Sequence, residues 1–102
     1  MEKVIGRFYF KKTINGNLLG EFSNNGLKEN ITESADLIEN MDKADFEGLY
    51  NTTWYEDGAC SAKLKIESTN GIYSLRWSEG GSFEGRGMLY ENNILIGNYW
   101  SI

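Results

Sequence analysis

Residues 71–102 read GIYSLRWSEGGSFEGRGMLYENNILIGNYWSI, three aromatic-rich alternating runs separated by Glu-Gly-Gly-Ser at 79–82 and Glu-Asn-Asn at 91–93. Strict alternation bounded by glycine and asparagine turns is the pattern of an antiparallel meander. Tyr73, Leu75 and Trp77 fall on one face against Ser74 and Arg76, and Phe83, Gly85, Gly87 and Leu89 share a face of the next run. The two glycines there leave room for a large neighbouring side chain or for a bend. A three-residue turn after Tyr90 sets Tyr99 opposite Gly85, whereas a two-residue Asn92-Asn93 turn slips the register by one and sets Trp100 there. Either register lays an aromatic ring over a glycine.

Working towards the N-terminus, Asn70-Gly71 is a hairpin turn, and Ala62, Leu64 and Ile66 alternate with Ser61, Lys63, Lys65 and Glu67 in the run before it. Phe46, Gly48, Tyr50, Thr52 and Trp54 share a face of a further run, which Glu56-Asp57-Gly58 ends with turn chemistry. These runs make a five-strand meander over residues 46–102. At the start of the chain, VIGRFYFKK (4–12), the turn signal Asn15-Gly16 and the run from Leu18 predict a hairpin over residues 4–24.

Between hairpin and meander the period changes. Ile31, Ala35, Ile38 and Met41 recur at three- and four-residue intervals, with Glu33, Asp36, Glu39, Asn40 and Asp42 opposite, so the spacing predicts a short amphipathic helix over 31–44. Asn30 followed by Glu33 has the form of a capping box. The whole is one mainly β domain over 1–102: an antiparallel meander of about seven strands, a small barrel or strongly bent sheet, with one helix.

The first and last hairpins echo each other. Gly6-Arg7 followed by Asn17-Leu18-Leu19-Gly20-Glu21-Phe22 matches Gly85-Arg86 followed by Ile94-Leu95-Ile96-Gly97-Asn98-Tyr99, except that the glycine spacing differs by two residues. A duplicated hairpin predicts pseudo-symmetry or swapping.

Composition narrows the function. The chain has 102 residues, a formal charge of −5 and scattered basic residues, which leaves no stripe for phosphates and predicts no nucleic-acid partner. A single cysteine, Cys60, allows no intrachain disulfide. The N-terminal apolar run is too short for a signal peptide and no long apolar segment follows, so the expectation is a cytoplasmic protein with no membrane partner.

The sequence contains no histidine, which removes the commonest general base, nucleophile activator and metal ligand. No catalytic residue, metal or cofactor is expected, and the protein is read as non-enzymatic. Glu47 and Glu84 sit between aromatics but in the polar phase, and Asp36, Glu39, Asp42 and Asp45 lack the spacing of a calcium loop.

The meander, its glycine bends and the Phe46-x-Gly48-x-Tyr50 run resemble the calycin group of lipocalins, fatty-acid-binding proteins and avidins over residues 46–102. Those families tend to open their barrel with glycine followed two residues later by an aromatic, here Gly48 and Tyr50. Two departures stand out: lipocalins usually carry Trp at the position of Tyr50, and the predicted helix precedes the barrel strand instead of following the barrel. The resemblance implies an up-and-down barrel whose interior or mouth holds a small apolar ligand.

Tyr50, Trp54, Tyr73, Trp77, Phe83 and Tyr99 are the candidate ligand-binding residues, since rings supply rigid contact area with a polar tip. The last run is apolar on both faces, Ile94, Ile96, Trp100 and Ile102 on one and Leu95 and Tyr99 on the other. With Met88 and Tyr90 beside them, the first four form a candidate interface, covered by the predicted helix or by a second protomer in a homodimer. The competing reading is an assembly module with a solid aromatic core and no cavity.

Overall fold

The computed structural model describes residues 3–40, 46–91 and 93–102. Eight strands follow in chain order: β1 (Ile5–Lys12), β2 (Leu18–Asn24), β3 (Ile31–Asn40), β4 (Gly48–Tyr55), β5 (Ala59–Thr69), β6 (Ile72–Ser78), β7 (Phe83–Tyr90) and β8 (Ile94–Ser101). Each pairs antiparallel with the next, and β1 pairs with β8, so the sheet closes on itself as an up-and-down barrel. Closure removes both sheet edges, the usual liability of a meander.

The mainly β, antiparallel meander architecture holds, with one correction. The segment from Ile31 to Asn40 is not a helix but β3, which brings the strand number to eight instead of about seven. Residues 41–44, where the sequence pattern ends that helix, lie outside the described residues, as does Asp45. Ile31 to Ala35 pair with β2 and Glu33 to Asn40 pair with β4, and these long-range ladder bonds override a local preference for helix. The inward row is Ile31, Glu33, Ala35 and Leu37, at period two, while Ile38 is exposed. A register shift between Leu37 and Glu39 marks a bulge near the end of the strand.

Turn chemistry sorts the hairpins. Asn70 and Gly71 have φ of 53° and 82° and join Thr69 to Ile72, the left-handed pair that a two-residue hairpin requires. Asn15-Gly16, by contrast, lies within a five-residue loop between Lys12 and Leu18, not a two-residue turn. Asn17 explains the difference: its carbonyl accepts from Thr13 N–H at 2.7 Å and its Oδ1 accepts from Leu37 N–H at 2.9 Å, which ties the loop to β3.

Between β7 and β8 the register is that of the three-residue connection, Tyr90 against Ile94 and Gly85 against Tyr99. The ring over Gly85 nevertheless belongs to Trp77, 3.0 Å from where a Cβ would stand. Tyr99 leans the other way onto Gly6, its partner across the β1–β8 seam. The two-residue difference in the hairpin echo resides in the loops, five residues at 13–17 and three at 91–93. The equivalent rings Phe22 and Tyr99 meet edge to face at 6.0 Å.

An eight-stranded barrel is just wide enough to be filled by side chains or to hold one small ligand. Here the two ends differ. At the end where β1 turns into β2 and β5 into β6, Phe10, Leu18, Tyr50, Leu64, Ile66 and Leu95 are fully buried. Tyr50 O–H donates to the Phe46 carbonyl at 2.7 Å, and the Phe46 and Tyr73 rings meet at 6.3 Å. That end is solid.

Candidate functional site

The opposite end carries the N-terminal approach to β1 and the turns at 25–30, 56–58 and 79–82. There a half-open cavity of about 200 Å³ enters the barrel, walled by the rings of Phe8, Phe22, Trp54, Trp77, Phe83 and Tyr99. Val4 and Gly26 lie at its margin, and the polar lining consists of Asn24, Glu33, Glu56 and the Tyr99 hydroxyl. The rings stand nearly at right angles: Phe22 to Trp54 at 89°, Phe83 to Tyr99 at 74° and Phe8 to Trp77 at 77°. Edge-to-face contacts of this kind fix each ring against its neighbour, so the walls are preformed.

Glu33 is the unusual member. It is 3% exposed, one of the inward row of β3 where an apolar side chain would be the default. Thr52 Oγ1–H donates to its Oε2 at 2.5 Å and Trp77 Nε1–H donates to the same oxygen at 2.9 Å. Both of these donors leave the second oxygen, Oε1, untouched. It is not sealed in either, because among the described residues every fully buried side-chain oxygen or nitrogen has a partner, so Oε1 faces the cavity. Burial pushes the Glu33 carboxyl above its usual range, against the opposing pull of the Thr52 and Trp77 hydrogen bonds.

At the rim, Asn24 Nδ2–H donates to the Tyr99 hydroxyl at 2.8 Å and Asn24 Oδ1 accepts from Gly26 N–H at 2.8 Å, which fixes Tyr99 upright. Burial is the main cause that raises the Tyr99 phenol, and the negative charges of Glu33 and Glu56 add to it against the Asn24 bond.

Of the ligand-binding candidates that the sequence offers, Trp54, Trp77, Phe83 and Tyr99 come together around this cavity. Tyr50 and Tyr73 do not: they pack at the solid end with Phe46. Phe8, Phe22 and Glu33 line the cavity too, and the sequence pattern does not single them out. The signal for Glu33 lies in the Ile31-x-Glu33-x-Ala35-x-Leu37 alternation, hidden by an equally good helical spacing.

The interface residues lie on the outer wall. Met88 pairs with Ile96 and Tyr90 with Ile94, and Met88, Tyr90, Ile96 and Ile102 are exposed while Ile94 and Trp100 are half-buried. No helix covers them among the described residues, since the segment expected to do so is β3, between β2 and β4. Glu47 accepts from the Ser68 hydroxyl at 2.8 Å and Glu84 pairs with Arg76 at 3.7 Å, so neither reaches the cavity.

The fold and site together define a small closed antiparallel barrel with one filled end and one open, aromatic-walled end, an arrangement compatible with the calycin-like resemblance. Comparison with protein-family models, with curated proteins and with solved structures found no match to this chain. Among the described residues, no helix is long and apolar enough to cross a membrane.

Proposed function

We propose that this chain is a non-enzymatic, calycin-like binding barrel whose open end holds one small aromatic ligand. The observation that carries the reading is the preformed cavity of about 200 Å³ walled by six rings. Its size lies below the roughly 300–1,000 Å³ of pockets that enclose drug-sized ligands, so a single-ring or fused-ring compound is the right scale. The absence of histidine from the sequence and the lone Cys60 support a non-enzymatic role and a cytoplasmic setting.

Titration with a panel of single-ring and indole-sized compounds tests this through tryptophan emission and melting temperature. Binding is expected to quench or shift emission and to raise Tm. Trp54 is half-buried at the rim, so Trp54→Ala should weaken binding at least tenfold while lowering stability by only about 1 kcal/mol. A panel that moves neither signal at millimolar concentration would sink the reading.

A second proposal concerns assembly. The outer faces of β7 and β8 present Met88, Tyr90, Ile94 and Ile96 side by side, uncharged and largely exposed. Such a patch suits its own copy across a two-fold axis, where like meets like without charge repulsion. We propose a homodimer through it, for which Ile96→Glu should yield a folded monomer in sedimentation velocity. An unchanged mass for that variant, or a monomeric wild type, would dismiss the interface.

A further inference from the structure

Among the residues that line the open-end cavity there are two carboxylates, Glu33 and Glu56, and no lysine or arginine. At the rim, Asn24 gives one amide hydrogen to the Tyr99 oxygen and accepts from the Gly26 backbone, which leaves its second amide hydrogen and the Tyr99 O–H as donors there. The acceptor that the cavity offers at depth is Glu33 Oε1, held in place because both protein donors, Thr52 and Trp77, converge on the other oxygen. Around it, Phe8, Phe22, Trp54, Trp77 and Tyr99 turn toward the space from several directions. Aromatic faces carry the negative side of the ring quadrupole and attract a cation within about 6 Å.

We propose that the ligand of this cavity is a small organic cation, a protonated arylalkylamine whose ammonium donates to Glu33 Oε1 and whose ring stacks within the aromatic walls. This rests on the binding-barrel reading and narrows its ligand class. An anionic ligand would face two carboxylates with no counter-charge. A bare metal ion is short of ligands, since among the described residues no three histidine, cysteine, aspartate or glutamate side chains converge. Above the raised pKa of Glu33 its carboxylate has no donor at Oε1, and a protonated amine supplies both that donor and the charge that the rings favour. Folding has already desolvated the Glu33 carboxyl, which is 3% exposed, so the ligand does not bear that cost when it forms a charge-assisted hydrogen bond to it.

Isothermal titration with three matched compounds, 2-phenylethylamine, 2-phenylethanol and phenylacetate, tests the assignment on the wild-type chain and on Glu33→Gln. The amine is expected to bind at least tenfold more tightly than the alcohol and the carboxylate to give no heat at millimolar concentration. In Glu33→Gln the amine and the alcohol should become equal within about threefold, a factor of ten in affinity being about 1.4 kcal/mol. Alcohol binding as tight as the amine in the wild type would overturn the cation proposal while leaving the binding barrel intact. An amine preference that survives in Glu33→Gln would overturn it in the same way. Silence from all three compounds would overturn both. Should Glu33→Gln not fold, the wild-type ranking of amine, alcohol and carboxylate decides alone.

Discussion

Trp77→Ala is expected to lower the free energy of unfolding by about 3–5 kcal/mol, the largest effect of any single change at the open end. Trp77 is 5% exposed, and its ring lies 5.8 Å from both Phe8 and Tyr99. It also covers Gly85, where no side chain fills the wall, and its indole N–H is one of two donors to Glu33. Truncation opens the cavity into the middle of the barrel and leaves the buried carboxyl with Thr52 alone. Trp77→Phe keeps a ring but not the donor and should cost about 1–3 kcal/mol, the range for a buried acceptor that loses a partner. Urea unfolding of both variants checks the ordering. An alanine variant within about 1 kcal/mol of wild type would show that the ring is not what holds this end together. Because its removal damages the fold, Trp77 is a poor probe of binding and Trp54 a better one.

The second large effect is a pH dependence that belongs to Glu33. Burial raises its folded-state pKa above the ordinary carboxylate value. Between those two values the folded chain keeps a proton that the unfolded chain has lost, so the folded state binds more protons. Stability then falls as pH rises, by at most about 1.4 kcal/mol per pH unit, and levels off above the folded pKa. Below the unfolded value of roughly 4.3 this group contributes no pH dependence. Glu33→Gln keeps an oxygen to accept from Thr52 and Trp77 and removes the proton equilibrium. Its stability should therefore be flat where the wild type declines, and higher than wild type at neutral pH. Tyr99 and Glu56 are the other titratable groups that line the cavity. Tyr99 is raised and loses its proton only at basic pH, outside this window. Melting temperatures of the two proteins across the acidic and neutral range supply the comparison. Parallel curves would mean that Glu33 carries no special penalty, which contradicts its buried position.

Much of the barrel is legible from residues alone. Ala62, Leu64 and Ile66, then Tyr73, Leu75 and Trp77, alternate without interruption, and the structure places each of them inward. Alternation gives a face but not a height. Tyr50 and Trp54 share a face of β4, yet four residues of strand separate them by about 13 Å, enough to put one in the solid end and the other at the rim. Phe8 and Phe22 reach the cavity through the β1–β8 closure, a pairing between the two ends of the chain that no local pattern announces. The segment with the helical spacing is the most instructive. In Ile31–Asn40 a single acidic residue in the inward row breaks the strand signal, and that residue is Glu33, one of the polar groups that line the cavity. The alternation rule fails here because the inward residue is acidic and not apolar.

The most direct test of a ligand site at the open end is the set of indole N–H resonances in a ¹H–¹⁵N correlation spectrum. The three tryptophans report three environments: Trp77 bonded to Glu33 inside the cavity, Trp54 at its rim and Trp100 on the outer wall. Addition of 2-phenylethylamine is predicted to shift the Trp77 and Trp54 signals and leave Trp100 in place. Three unmoved signals, or a shift of Trp100 alone, would contradict a binding cavity between the aromatic walls.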